Sequence, residues 1–201
     1  MLMRYPQLES LPIKKAYDRL IESYHRGGKI LVCGNGGSAS DAEHIVGELA
    51  KGFIRERKLS LQDREAFQDF GEEGAIIAEK LQKGIPAISL NSQTSLLTAV
   101  GNDNSFDMVF AQQVYVYGKA NDVIIVMSTS GNSKNVVYAA LTAKALGMCV
   151  IGITGQNAGN LGELCDVCIA IPEQETYRVQ ELTLPLYHTL CAMLEHELFQ
   201  L

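Results

Sequence analysis

Four hydroxyl side chains fall within six residues, in Ser128-Thr129-Ser130-Gly131-Asn132-Ser133. The segment follows the apolar run Val123–Met127 and leads into a stretch that reads as helix to about Leu146. The first backbone N–H groups of a helix lack internal partners and carry partial positive charge, which suits an anion. Small hydroxyl side chains add donors there without filling the space. One serine, Ser130 or Ser133, would read as a helix cap. Four hydroxyls together point to a phosphate cradle. The lysine of a nucleoside-triphosphate loop is missing, so a single phosphate on a small metabolite fits better.

A second turn, Gly34-Asn35-Gly36-Gly37-Ser38-Ala39, ends the apolar run Lys29–Cys33 and formally matches a dinucleotide fingerprint. That fingerprint needs an acidic residue closing a second strand about 20 residues on. Glu56, the nearest candidate, sits in the charged run Arg55-Glu56-Arg57-Lys58, so nicotinamide binding is rejected. The glycines instead let backbone approach a sugar closely.

His44 and Glu48 stand at i, i+4, on one face of the helix expected next. An imidazole and a carboxylate so spaced can ligate a divalent ion, divide a proton transfer, or merely hydrogen-bond at a surface. Gln180 and His188 lie about 80° apart around a helix axis, so both can face one pocket. A polar glutamine and a satisfied core histidine is the plainer alternative. Pro185 lies between them and is expected to kink the helix. Cys165 and Cys168 form a lone CxxC, which extended backbone would split between opposite faces, so packing is the reading. Asp41 and Glu43 complement the dipole at a helix start.

Ile13, Ala16, Leu20, Ile21 and Tyr24 recur at helical spacing until Gly27-Gly28. Lys29–Cys33, Ile85–Leu90, Val123–Met127, Cys149–Thr154 and Val167–Ile171 are expected as strands. Helices are expected at about 39–51, at Ser92–Val100 behind a serine cap, at Phe106–Tyr117 and from about Thr176 to Phe199. Apolar strands alternating with helices predict an α/β fold, a parallel sheet covered on both faces with right-handed crossovers. Ligands bind such sheets outside the carboxyl ends of the strands, where both polar loops fall. Leu59 to Gly84 is charged and partly helical, and Gly71 and Gly74 are expected to break it. It reads as a lid or oligomer contact inserted in one domain spanning 1–201.

The 201 residues are 47% hydrophobic and 20% charged, enough for a sizeable core. Lys+Arg number 17 against 23 Asp+Glu, a net charge of −6, so no basic footprint for nucleic acid or an anionic membrane is present. No apolar run approaches the roughly 20 residues of a membrane helix. MLMRYPQLES carries no recognisable secretory leader, and the five cysteines read as reduced thiols, so a cytoplasmic location is expected.

Taken together, CGNGGSASDAEHIVGEL (33–49), VGND (100–103), STSGNS (128–133), Ile153-Thr154-Gly155 and RVQELTLPLYH (178–188) give a resemblance to the sugar isomerase (SIS) domain family. It runs from about Leu20 onward. STSGNS alone specifies that group; with H-x-x-x-E and Q-x-x-x-x-x-x-x-H it resembles the bacterial phosphoheptose isomerases. The resemblance implies a flavodoxin-like three-layer α/β/α sandwich with a five-stranded parallel sheet and long N- and C-terminal helices. It implies that Ser128, Thr129, Ser130 and Ser133 cradle a terminal phosphate. Asn35, Gly36, Gly37, Ser38, Asn102, Asp103 and Gln180 would line the sugar pocket. His44, Glu48, Gln180 and His188 would hold Zn2+, with Glu48 and His188 as the catalytic acid/base pair. The implied reaction interconverts D-sedoheptulose 7-phosphate and D-glycero-D-manno-heptose 7-phosphate through an enediol. A homotetramer with active sites at subunit interfaces is also implied, acting on a small sugar phosphate and on neither nucleic acid nor membrane. The alternatives are an isomerase of another ketose phosphate and a non-catalytic phosphosugar-binding regulator of the replication-initiator-associated type. The chain departs from the family pattern at the 59–84 insertion and at Tyr177, where an acidic residue is usual.

Overall fold

The computed structural model describes residues 4–199. Its centre is a parallel sheet of β1 (Ile30–Gly34), β2 (Ala87–Ser89), β3 (Val123–Ser128), β4 (Cys149–Thr154) and β5 (Val167–Ala170), in the order β2-β1-β3-β4-β5. Every residue of β1 and β3 is buried, which is why these strands read as unbroken apolar runs. Alternate side chains serve opposite cores. Ile30, Val32, Ile125 and Met127 pack toward α1 (Ile13–His25), α2 (Gly37–Ala50) and α9 (Thr176–Leu198). Leu31, Cys33, Ile124 and Val126 pack toward α6 (Val109–Tyr117) and α7 (Lys134–Ala145). Register sets Gly34 beside Met127 and Ser128 beside Thr154, so the polar loops emerge side by side at the carboxyl edge.

Several expectations need correction. The helix after β2, α5 (Thr94–Asp103), starts two residues late and has no side-chain cap. Ser92 instead donates to Glu43 Oε1 at 3.1 Å. The 106–117 stretch divides into a 3₁₀ turn (Phe106–Met108) and α6. In the insertion, α3 (Leu61–Glu65) carries a Ser60/Asp63 capping box and α4 runs Gly71–Lys80. Gly71 opens α4 at φ +61° rather than breaking a helix. Gly74 lies within α4, where any Cβ would overlap the Phe67 carbonyl oxygen. These glycines build a tight corner. Cys165 ends α8 (Leu161–Leu164) instead of joining β5, so the thiols do not split between faces. A Cβ on Gly152 would meet both sulfurs, at 2.5 and 3.9 Å. Cys33 and Cys191 are buried, and the other three cysteines are half-buried. Among the described residues, no helix is long and apolar enough to cross a membrane.

Helix α9 continues through Pro185, whose carbonyl accepts from Thr189 Oγ1 at 2.7 Å. It runs in the same direction as α2. Gly37 faces Gln180, His44 faces Tyr187, and the chain just beyond α2 meets Glu195. Arg57 and Glu195 form a buried ion pair there, with Nε to Oε1 at 2.8 Å and side chains 0% and 2% exposed. Glu195 also accepts the backbone N–H groups of Phe53, Ile54 and Arg55 at 2.8, 2.8 and 3.1 Å.

Burial by itself raises the Glu195 carboxyl, but the Phe53 and Ile54 N–H groups and the Arg57 guanidinium outweigh it and hold it below its ordinary 4.5. A carboxylate depressed in the folded state adds stability that is complete above its unfolded pKa and is lost as pH falls through the folded one. Stability is therefore expected to decline in acid below about pH 4.5. Glu195→Gln should flatten that decline while costing about 3–5 kcal/mol at neutral pH, because Arg57 is left unpaired. Calorimetric Tm against pH tests this; an unchanged acid slope in the variant contradicts it.

Candidate active site

The hydroxyl loop folds on itself at the end of β3. Ser128 Oγ lies 3.0 Å from Ser133 Oγ and 3.4 Å from Ser130 Oγ. Ser133 holds the cap position of α7 but makes no side-chain cap bond, so capping does not account for its hydroxyl. Thr129 Oγ1 reaches Thr176 Oγ1 at 3.4 Å, tying the loop to the start of α9. Gly131 permits the turn: its φ is +67°, and a Cβ would overlap the Ala158 carbonyl oxygen. The glycine loop stands alongside. Gly36 adopts φ +55° and α2 begins at Gly37, whose missing Cβ leaves room for the Gln180 amide, 2.5 Å from where it would lie. Ser38 is buried beneath.

Two amide contacts that the sequence reading missed hold the loops together. Asn91 clamps the end of β1, accepting from Gly34 N at 3.2 Å and donating to Gly34 O at 2.7 Å. Asn35 and Asn135 exchange hydrogen bonds of 2.8 and 2.9 Å, one loop to the other. Asn35, expected to face a sugar, thus spends much of its amide as a brace.

Along the α2–α9 contact, His44 Nε2 lies 3.1 Å from Glu48 Oε1, and His44 Nδ1 lies 2.8 Å from the Tyr187 hydroxyl. Tyr187 also donates to Asp41 Oδ1 at 3.4 Å. The His188 ring meets the His44 ring edge-on at 5.1 Å, with Phe53 at 5.1 Å. Burial, and then the neighbouring His44, push the His188 imidazole below its ordinary 6.5, against the pull of Glu48, so it is neutral at pH 7. Its Nε2 is buried without a hydrogen-bond partner among the described residues. Burial, with Asp41 next, raises the Tyr187 phenol far above its ordinary value. Lys51 Nζ donates to Glu48 Oε2 at 3.3 Å. A neutral imidazole beside a carboxylate is equipped to move protons.

The expected metal donors are neighbours in part. His44, Glu48 and His188 adjoin, whereas Gln180 sits over Gly37, two helical turns from His188. Among the described residues, no three His, Cys, Asp or Glu side chains already converge on a point that holds a metal. The orphaned His188 nitrogen and the two-imidazole, one-carboxylate set fit a divalent ion in kind, with side-chain closure required. Asn102 and Asp103 bond to each other at the exposed end of α5, at 2.9 Å, and among the described residues no hydrogen bond joins them to the loops. Tyr177 is exposed and accepts from Arg178 Nε at 3.1 Å. Tyr187 lies beside His188 in sequence, yet spacing alone does not distinguish it from core.

The chain belongs to the SIS domain family, whose model matches residues 1–82 and 64–155. Within that family, the phosphoheptose isomerase of Helicobacter hepaticus is 42% identical over 185 residues, which cover 92% of this chain and 82% of that one. The solved phosphoheptose isomerase of Neisseria gonorrhoeae is 35% identical with a TM-score of 0.73, covering 91% and 85%. That of Francisella tularensis is 29% identical with a TM-score of 0.79, covering 96% and 91%.

Gly131→Ala should open the hydroxyl loop and weaken inorganic phosphate binding at least about tenfold by calorimetry. Gly27→Ala is the control, because Gly27 has φ +71° with nothing near its missing Cβ. It should leave phosphate affinity unchanged. Equal affinity in both variants would remove the loop from the phosphate site.

Proposed function

We propose that this protein is an aldose–ketose isomerase that interconverts D-sedoheptulose 7-phosphate and D-glycero-D-manno-heptose 7-phosphate. The observation that carries the reading is the meeting of Glu48, His44 and His188 beside two loops suited to a phosphorylated sugar. The likeness in sequence and fold to phosphoheptose isomerases supports it.

The reaction moves a proton between C1 and C2 by way of an enediol. Glu48, largely enclosed by α2 and α9, takes the proton from carbon. His188, neutral at physiological pH, handles the proton on oxygen. Tyr187 and Glu48 bracket the two His44 ring nitrogens and fix that ring against its neighbour. Ser128, Thr129, Ser130 and Ser133 grip the phosphate, so binding energy from the remote end orients the reacting carbons. Asn35, Gly36, Gly37 and Ser38 are assigned to the sugar, and Asn102 and Asp103, which stand at the exposed end of α5, are assigned to the same pocket from the family likeness.

We assign Zn2+ to His44, Glu48, Gln180 and His188, supported by the unpartnered His188 nitrogen and the donor types. When bound, the ion supplies polarisation of substrate oxygens and stabilises developing negative charge. We further infer a homotetramer with sites at subunit interfaces and a cytoplasmic setting, the latter supported by free cysteines. A regulator that only held phosphosugar would have no use for the Glu48 and His188 pairing.

NMR of a ketose-phosphate panel should show aldose formation from sedoheptulose 7-phosphate. Glu48→Gln should lower kcat by about 10²- to 10⁴-fold with Tm preserved. Wild-type kcat in a folded variant ends the assignment. Metal analysis of protein purified without added zinc, followed by chelation, should show bound zinc and lost activity; full activity after complete metal removal rejects the ion.

A further inference from the structure

We propose that the buried Arg57–Glu195 pair is a positioning device for the isomerase site, setting the distance between the α2 turn that bears Glu48 and the α9 turn that bears His188. The inference rests on the function proposed above.

Carbonyls in the last turn of a helix have no internal partner. In α2 those of Glu48 and Leu49 accept from the Arg57 guanidinium, from Nη2 at 3.1 Å and Nη1 at 2.8 Å. The third arm, Nε, goes to Glu195 at 2.8 Å. One rigid planar group therefore spans the backbone of Glu48 itself and a carboxylate of α9. Glu195 follows His188 by two helical turns, so both project toward the same side of α9. The other bonds of Glu195 pin Phe53, Ile54 and Arg55, and the pinned Phe53 supports one flank of the His188 ring. Arg57 also packs over the Phe199 ring, 4.7 Å from its centroid.

Stability alone does not account for this arrangement. Replacing a buried ion pair by well-packed apolar side chains of similar volume is often neutral or stabilising. What an apolar contact does not supply is a fixed distance and angle. A guanidinium fork supplies both, and lysine, with a single flexible ammonium, does not. An error of about 1 Å between reacting groups costs on the order of 100-fold in rate. Arg57 and Glu195 touch neither hydroxyl nor glycine loop, so binding of the phosphate end is independent of them.

Steady-state kinetics of sedoheptulose 7-phosphate, read beside Tm, test the proposal in Arg57→Lys and in the double variant Arg57→Met/Glu195→Leu. The double variant leaves no unpaired charge but strips partners from the Phe53, Ile54 and Arg55 N–H groups and the Glu48 and Leu49 carbonyls. Arg57→Lys, which keeps the paired charges, is therefore the variant that guards against loss of folding. Both should lose about 10- to 100-fold in kcat while KM stays within about threefold. The double variant should do so at a lowered Tm and Arg57→Lys at a Tm nearer wild type, and wild-type kcat in folded Arg57→Lys overturns the proposal. A double variant that folds and retains wild-type kcat overturns the proposal, as does a loss that appears in KM alone. Wild-type protein that binds inorganic phosphate but turns over no ketose phosphate overturns the isomerase reading instead, and the proposal falls with it.

Discussion

A parallel sheet buried on both faces leaves few places for polar chemistry. In this protein β1 and β3 are buried throughout, and helices cover each side. Unpaired backbone and hydroxyl groups are tolerated at the carboxyl edge, where strands end and helices begin. The adjacency of β1 and β3 then fixes which loops become neighbours. The Asn35–Asn135 amide pair is a direct product of that register, joining residues 100 positions apart. The site is built from strand order before any catalytic residue enters.

Helix α2 links the two requirements of the site. Its amino end faces the glycine loop, and its carboxyl half carries His44 and Glu48. Because α9 runs beside it in the same direction, each level of α2 finds a counterpart on α9. Gly37 meets Gln180, His44 meets Tyr187 and His188, and the exit of α2 meets Glu195. Antiparallel packing would bring Gln180 toward the histidines' far side and separate the levels. Direction therefore matters as much as composition.

Much of the architecture was legible because its signals are local. Strand runs, the glycine stop after α1 and the polar loops follow from spacing within a few residues. What escaped is long-range. Asn91, Asn135 and Tyr187 look like ordinary polar or core residues until a partner far along the chain is known. Arg57 reads only as one member of a charged run, yet it is 2% exposed and paired with a residue 138 positions away. Gly74 reads as a breaker because composition does not show that a carbonyl crowds its missing side chain. Spacing sends Cys165 and Cys168 to opposite faces only if one extended strand holds both, whereas Cys165 caps α8 two residues before β5 starts.

The position of α9 in the chain has its own consequence. All five strands precede it, and its residues cover Ile30, Val32, Ile125 and Ile151 on one side of the sheet. A nascent polypeptide can pair its strands while α1 and α2 alone cover that face. Until the last helix docks, the half-made protein presents a broad greasy surface, the kind that chaperones hold and that neighbouring chains stick to. Catalytic competence and protection from aggregation are thus acquired in one and the same late event.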